Sequence, residues 1–191
     1  MDPSVLKTAS DATLVARALR ADRDAQAELV KRYQKPVFGL CLNLVGRQDA
    51  EDLAQEALFR VLSKLDSFSG QSSLGTWIYR ITTNICLTHL RRRTRSQRID
   101  RELPHSPGQI VEPEAGSGVQ TSETHRLLRA ALERLPDEQR VILVLRDVRG
   151  LEYEQLAEIL DIPVGTVRSR LFRARRALRD ALQNPPRSSD A

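Results

Sequence analysis

Several kinds of chemistry are poorly represented in this chain of 191 residues. Its two cysteines, Cys41 and Cys86, lie far apart in the sequence, which excludes a disulfide framework and favours a reducing compartment. Cys86 and His89 have a Cys-x-x-His spacing, but no second pair of ligands with zinc-finger spacing follows them. A buried thiol is therefore favoured over a metal site. Because no clustered carboxylates or activated nucleophile stand out either, we expect no enzyme activity, metal or cofactor.

Long hydrophobic runs are also missing. No stretch of about 18 uncharged apolar residues occurs, so no transmembrane helix is expected. The N-terminal residues lack the layout of a signal peptide, and we expect a cytoplasmic protein without membrane insertion. The composition, 40% hydrophobic and 29% charged, is typical of a folded chain, and the net charge of +5 favours polyanionic partners.

Strand-like alternation is absent, whereas helical periodicity is frequent. Apolar residues at helical spacing predict helices within 11–65, a further helix over about 77–93, and more helices after residue 122. The stretch 94–122 is rich in proline and glycine and lacks a sustained apolar period, which is typical of a linker. The fold class is therefore all-α, with two small helical domains. We assign residues 1–98 and 123–183 to the domains, 99–122 to a flexible linker and 184–191 to a disordered tail.

The most specific pattern in the second domain is LEYEQLAEILDIPVGTVRSRLFRARRAL (residues 151–178). A helix over about 152–160, a short break, and a second helix beginning at Pro163 or Val164 have the spacing of a helix–turn–helix. At about 100° per residue, an apolar face of the second helix (Val164, Val167, Leu171, Ala174 and Leu178) opposes a polar, basic one. The hydroxyls and arginines of that polar face suit contacts with base edges and phosphates. An ordinary solvated face would instead mix acidic and basic residues. Its candidate DNA contacts are Thr166, Arg168, Ser169, Phe172, Arg173 and Arg176, with Arg173 and Arg176 assigned to phosphates.

The first domain contains a long segment without acidic residues. No aspartate or glutamate occurs over 67–99, where there are six arginines. This predicts a surface for polyphosphate. On the predicted helix, isoleucines form one arc, and the remaining stripe consists of Trp77, Arg80, Asn84, Thr88 and Arg91. Trp77 is either core filler or, as we slightly favour, a partly exposed residue that stacks on bases.

A loop of small polar residues precedes this helix. Its glycines permit close approach of the backbone, and its hydroxyl and amide groups can hydrogen-bond a base that has swung out of the duplex. The first domain thus favours opened DNA, whereas the second favours intact duplex. The candidate loop residues are Phe68, Ser69, Gly70, Gln71 and Ser72.

At this point the chain resembles the extracytoplasmic-function (ECF) group of bacterial RNA polymerase sigma factors, in the sigma-70 family. The resemblance is carried by DAEDLAQEALFRVLSKLDSF (49–68), GTWIYRITTNICLTHLRRR (75–93) and RLPDEQRVILVLRDVRGLEYEQLAEILDIPVGTVRSRLFRARRAL (134–178). It implies a region-two domain, a linker and a region-four domain. The linker is somewhat longer than is usual in this family. The residues after Trp77 also differ from those that the family usually has there, which leaves the base preference at the −10 element open.

The resemblance also implies partners and roles. The loop at 68–76 would hold a flipped base of the −10 element, Asn84 and 91–93, including Arg92, would contact the opened promoter, and the second helix of the helix–turn–helix would read the −35 element. The chain would bind the flap of the polymerase's second-largest subunit, and an anti-sigma factor would be a further partner. Contacts to the clamp helices of the largest subunit would come from Asp49, Asp52, Leu53, Gln55, Glu56, Phe59 and Arg60.

Two other classes of protein remain as alternatives. A helix–turn–helix regulator with an N-terminal sensor domain accounts for the second domain but gives the acid-free arginine helix no role. An enzyme acting on DNA would need a cluster of catalytic groups, and the sequence offers none.

Overall fold

The computed structural model describes residues 3–102 and 123–183, and all regular secondary structure within these ranges is helical. The predicted all-α class with two helical domains is confirmed. The first domain contains α1 (Pro3–Thr8), α2 (Asp11–Ala18), α3 (Arg23–Val45), α4 (Arg47–Ser63), a 3₁₀ turn (Leu65–Ser67) and α5 (Leu74–Glu102). The second contains α6 (Glu123–Glu133), α7 (Asp137–Leu143), a π-helical turn (Val144–Val148), α8 (Tyr153–Leu160) and α9 (Val164–Gln183).

Between residues 11 and 33 the chain forms two helices, α2 and the start of α3, with a short turn between them. Ala21 has a left-handed backbone with φ 59°, which ends the first helix. Asp22 then caps α3, because its carboxylate accepts hydrogen bonds from the backbone N–H groups of Asp24 and Ala25, both at 3.1 Å. α3 continues through an internal proline, Pro36, to Val45.

α5 is longer than the sequence predicted. It begins at Leu74, where Ser73 accepts a hydrogen bond from the backbone N–H of Thr76 at 3.1 Å, and it ends at Glu102. Residues 99–102, which we assigned to the linker, are therefore helical. The rest of the predicted linker and the predicted tail lie outside the described residues, and the domain boundaries stay predictions.

The core of the first domain forms where α3 packs against α2, α4 and α5. The apolar arc predicted for α5 is largely confirmed: Ile78, Ile85 and Leu90 are buried, whereas Ile81 is half-buried. Burial of these side chains fixes the rotation of α5 about its axis, and the opposite stripe consequently faces outward.

The second domain contains the predicted helix–turn–helix. Asp161, the residue that follows α8, has a left-handed backbone with φ 53°, and α9 begins three residues later at Val164. On α8, Leu156 and Ile159 are buried, and Leu160 is half-buried. On α9, Val167, Leu171 and Ala174 are buried, while the end members of the predicted apolar face, Val164 and Leu178, are half-buried.

The two domains pack directly against each other through α3 and α5 of the first and α7, the π-helical turn and α8 of the second. Arg140 is the buried polar link, since its Nη1 donates to the carbonyl oxygen of Leu44 at 3.0 Å and its Nη2 pairs with Asp137 at 2.7 Å. At the other end, Nε2 of Gln155 donates to Oγ1 of Thr76 at 3.2 Å. Across the described ranges, none of the helices is long and apolar enough to span a bilayer.

Candidate nucleic-acid interface

The outward stripe of α5 is polar and basic. Arg80, Asn84, Thr88 and Arg91 are exposed, and they lie opposite the buried isoleucines of the same helix. Arg92 is also exposed at the end of this stripe. No acidic side chain interrupts it along α5 before residue 100, so its positive potential is not neutralised from within the helix.

Trp77 is half-buried, which agrees with the partly exposed position that the sequence slightly favoured. One side of its indole packs against the apolar core. Its ring also lies against Phe68, with ring centroids 5.5 Å apart and planes tilted by 53°. This tilted aromatic pair holds the start of α5 against the preceding loop, and it leaves part of the indole accessible to a stacking base.

The loop before α5 is open to solvent. Ser69, Gly70 and Gln71 are exposed, and Ser72 is half-buried. Gly70 has φ 74°, a left-handed conformation that costs little only at glycine. The loop therefore makes a sharp bend beside the aromatic pair and presents its polar groups outward.

The outward face of α9 carries the candidate duplex contacts. Phe172 is 71% exposed, Arg173 and Ser169 are exposed, and Nε of Arg173 donates to the carbonyl oxygen of Ser169 at 3.3 Å. Arg176 is exposed and Thr166 is half-buried. The predicted rotation of this helix is thus correct, because Val167, Leu171 and Ala174 face the core while Arg168, Arg173 and Arg176 are exposed.

Arg168 has an aromatic neighbour that the sequence did not suggest. Its guanidinium carbon lies 5.9 Å from the centroid of the Tyr153 ring, and that of Arg146 lies 5.1 Å from the same ring. This cation–π arrangement favours one position of the Arg168 guanidinium at the N-terminal end of α9.

The candidate polymerase-binding residues lie on α4, and most of them face outward. Asp52, Gln55, Glu56 and Arg60 are exposed, and Phe59 is 74% exposed, which is unusual for so large an apolar side chain. Glu56 and Arg60 form an ion pair at 2.6 Å along the helix.

Two of the residues assigned to polymerase contact do not lie on the outward face of α4. Leu53 is 8% exposed and belongs to the core, because it shares the inward face of α4 with Ala57. Its assignment as an external packing contact is therefore corrected. Asp49 is half-buried and turned toward α5, where it lies 3.1 Å from Nε2 of His89 and 3.9 Å from Nη1 of Arg93.

Sequence reasoning missed a group of residues between the domains. Glu138 pairs with Arg170 of α9 at 3.3 Å and lies 4.0 Å from Arg91 of α5. A groove of about 250 Å³ runs between these side chains and is also bordered by Asn84 and Thr88. No sequence signal identifies this group, because its members come from different domains and lie far apart in the chain.

A two-domain helical protein with a helix–turn–helix and a second basic helix belongs to the DNA-binding class. Two segments match described families: residues 29–96 match sigma-70 region 2, and residues 125–178 match sigma-70, region 4.

Similar proteins extend over most of the chain. The ECF RNA polymerase sigma-E factor of Escherichia coli (strain K12) is 39% identical over 181 residues, which cover 91% of this chain and 95% of that protein. The RNA polymerase sigma-H factor of Pseudomonas aeruginosa is 37% identical over 189 residues, covering 94% of this chain and 97% of that protein. Among solved structures, the sigma factor RpoE of Bartonella quintana, in complex with the anti-sigma factor NepR, matches with a TM-score of 0.64 and 26% identity. That match covers 82% of this chain and 96% of the other.

The chain belongs to the ECF group of RNA polymerase sigma factors in the sigma-70 family. The resemblance inferred from the sequence is confirmed, and so is the general function: the protein is a transcription initiation factor that directs RNA polymerase to promoters.

Proposed function

We propose that the two domains divide promoter recognition between them, in the cytoplasm and without any enzymatic step of their own. The second domain holds the −35 element as intact duplex, and the first domain holds the opened strand of the −10 element. The observation that carries this proposal is the pair of opposed faces on α5, with buried Ile78 and Ile85 on one side and exposed Arg80, Asn84 and Arg91 on the other.

The −10 contacts are assigned by the chemistry that opened DNA requires. Unstacked bases need an aromatic surface and hydrogen-bonding groups, which the Phe68–Trp77 pair and the loop over 69–72 supply together. The displaced backbone needs cations, and we assign this role to Arg80, Arg91 and Arg92. Asn84 lies between them and can donate to and accept from one base edge.

The −35 contacts are assigned to the outward face of α9. Thr166, Arg168 and Ser169 lie near its N-terminal end, the part of a recognition helix that contacts base edges. Arg173 and Arg176 lie further along and are assigned to phosphates, and Phe172 to apolar contact with a base or sugar.

Polymerase binding is assigned to the outward face of α4, where Phe59 is the central apolar contact. The clamp helices of the largest subunit would pack against Phe59, with Asp52, Gln55, Glu56 and Arg60 as polar contacts around it. The flap of the second-largest subunit would bind the second domain. Since the similar Bartonella quintana protein was solved with an anti-sigma factor, we also propose such a partner for this chain.

Reconstituted transcription tests this proposal. Core polymerase alone and core polymerase with the purified chain are incubated with a duplex promoter library, and the start sites of the transcripts are mapped. We expect specific starts only when the chain is present, and fewer of them with Phe59→Ala. If the chain bound promoter fragments specifically but never associated with core polymerase, the alternative of a regulator with a sensor domain would replace this proposal.

A further inference from the structure

The two cysteines have no part in the proposed recognition of promoter or polymerase. Cys41 lies on α3 and Cys86 on α5, and both side chains are fully buried. Although they are 45 positions apart in the chain, their Sγ atoms lie 3.8 Å apart. The fold therefore brings the only two thiols of the chain into direct contact.

The two thiols differ in their surroundings. The S–H group of Cys86 donates toward Sγ of Cys41. This hydrogen bond, with a smaller contribution from the positive charge of Arg149, lowers the pKa of Cys41, whereas the same contact and burial raise the pKa of Cys86. Cys41 is thus the thiol that more readily forms the nucleophilic thiolate.

Arg149 reaches this region from the second domain. Its guanidinium rests on Gly39 of α3, where a Cβ atom would lie only 2.4 Å from Nη2. Glycine at position 39 is what permits this approach, and the charge near Cys41 consequently depends on the contact between the domains.

We propose that Cys41 and Cys86 form a redox-reactive thiol pair that a hydroperoxide converts into an intramolecular disulfide joining α3 to α5. A disulfide bond is about 2 Å long, so the sulfur atoms need to approach each other by less than about 2 Å. Because neither thiol is exposed, the reaction proceeds through the local opening motions that folded proteins undergo.

The chemistry balances with one molecule of hydrogen peroxide. The thiolate of Cys41 attacks one peroxide oxygen, the O–O bond breaks, and Cys41 becomes a sulfenic acid as hydroxide leaves. The sulfur of Cys86 then attacks the sulfur of this sulfenic acid, the S–O bond breaks, and a second hydroxide leaves. The two protons from the thiols convert both hydroxides to water. The thiols are oxidised to a disulfide, and the peroxide is reduced to water.

The bond has a structural consequence for α5. Cys86 follows Asn84 and Ile85 directly, so a covalent link at Cys86 ties the middle of the DNA-binding helix to α3. A disulfide that closes a loop of this size restricts the unfolded chain. For a chain of this length we expect the melting temperature to rise by roughly 5–10 °C.

The purified full-length protein, treated with hydrogen peroxide at low protein concentration, tests the proposal directly. We expect the monomer to lose two hydrogen atoms in its intact mass, both thiols to become unreactive toward a thiol reagent after denaturation, and dithiothreitol to restore both. Two free thiols after treatment, a sulfinic acid without a disulfide, or a disulfide only between two chains would overturn it.

Matched variants add two further arms. Cys41→Ser and Cys86→Ser retain the size of the side chain, and we expect neither to gain an intramolecular bond or the higher melting temperature. Arg149→Gln removes the charge, and we expect oxidation to slow several-fold while the same bond still forms. An unchanged rate in that variant would overturn the role assigned to Arg149. The wild-type measurement stands even if a variant fails to fold.

Discussion

At the scale of single residues, exposure separates the side chains available to DNA from those that hold the fold. Arg173 and Phe172 project from α9 into solvent, whereas the neighbouring residue Leu171 is buried in the core. An exposed arginine contributes little to the free energy of folding. Its removal should therefore lower the affinity for DNA more than the stability of the protein.

We predict that Arg173→Ala weakens binding of the holoenzyme to a −35-containing duplex by about 1–3 kcal/mol. The physical reason is the loss of a charge-assisted phosphate contact, which also lowers the dependence of binding on salt. The affinity is measured by titrating labelled promoter duplex at several salt concentrations.

Arg23→Ala is the control for this measurement. It removes the same charge from an exposed position at the start of α3, remote from α9 in the sequence. Equal losses for the two variants would show that net charge, rather than a contact made by Arg173, accounts for the effect.

At the scale of elements, α5 has a buried apolar face and, opposite it, an exposed polar face to which we assign contacts with DNA. Neighbouring residues can therefore differ completely in what they contribute: Ile85 is buried in the core, and Asn84 is exposed on the polar stripe. This division follows from the helical repeat of 3.6 residues, which places consecutive side chains about 100° apart.

For these two neighbours we predict effects of very different size on stability. Ile85→Ala leaves a cavity and should lower the free energy of unfolding by about 2–5 kcal/mol. Asn84→Ala should change it by no more than about 0.5 kcal/mol. Urea unfolding followed by circular dichroism measures both values, and a large loss for Asn84→Ala would mean that Asn84 serves the fold.

Much of α5 and α9 was predictable because a single rotation about each helix axis decides which side chains face inward. The helix–turn–helix was predictable for a similar reason, since its break depends on a few local residues around Asp161 and Pro163. Leu53 was not placed correctly: an apolar residue on an amphipathic helix fits both the core and an external partner, and only packing distinguishes the two.

The break before α3 and the contact between the domains were missed for different reasons. Asp22 is a good capping residue, but apolar residues at helical spacing occur on both sides of it. The sequence pattern therefore does not indicate the turn between α2 and α3. The hydrogen bond from Arg140 to Leu44 joins residues 96 positions apart, and neither has a local pattern that signals a distant partner.

At the scale of the whole molecule, the two surfaces that we propose to bind DNA lie on domains that touch. Thr76, beside Trp77, contacts Gln155 of the helix–turn–helix at 3.2 Å. The positions −10 and −35, by contrast, differ by about 25 base pairs, which is roughly 85 Å of duplex at 3.4 Å per pair. We therefore expect the domains to separate when both elements are bound.

Weakening the contact between the domains should favour the separated arrangement. Arg140→Ala removes the donor to Leu44 and leaves a buried carbonyl oxygen without this partner, which penalises the closed form. We predict a larger radius of gyration by small-angle X-ray scattering, with unchanged helical content. Glu154→Ala, at an exposed position on α8, is the control. An unchanged radius of gyration for Arg140→Ala would argue against this role.

The central claim is that one domain holds duplex while the other holds separated strands. Permanganate footprinting of promoter complexes, with holoenzyme at saturating concentration, tests it most directly because permanganate oxidises unpaired thymines. We predict that Asn84→Ala remains bound but shows weak reactivity in the −10 region, whereas Arg173→Ala recovers full reactivity once the promoter is saturated. Equal loss of reactivity in both variants at saturation, or full reactivity with Asn84→Ala, would contradict the account.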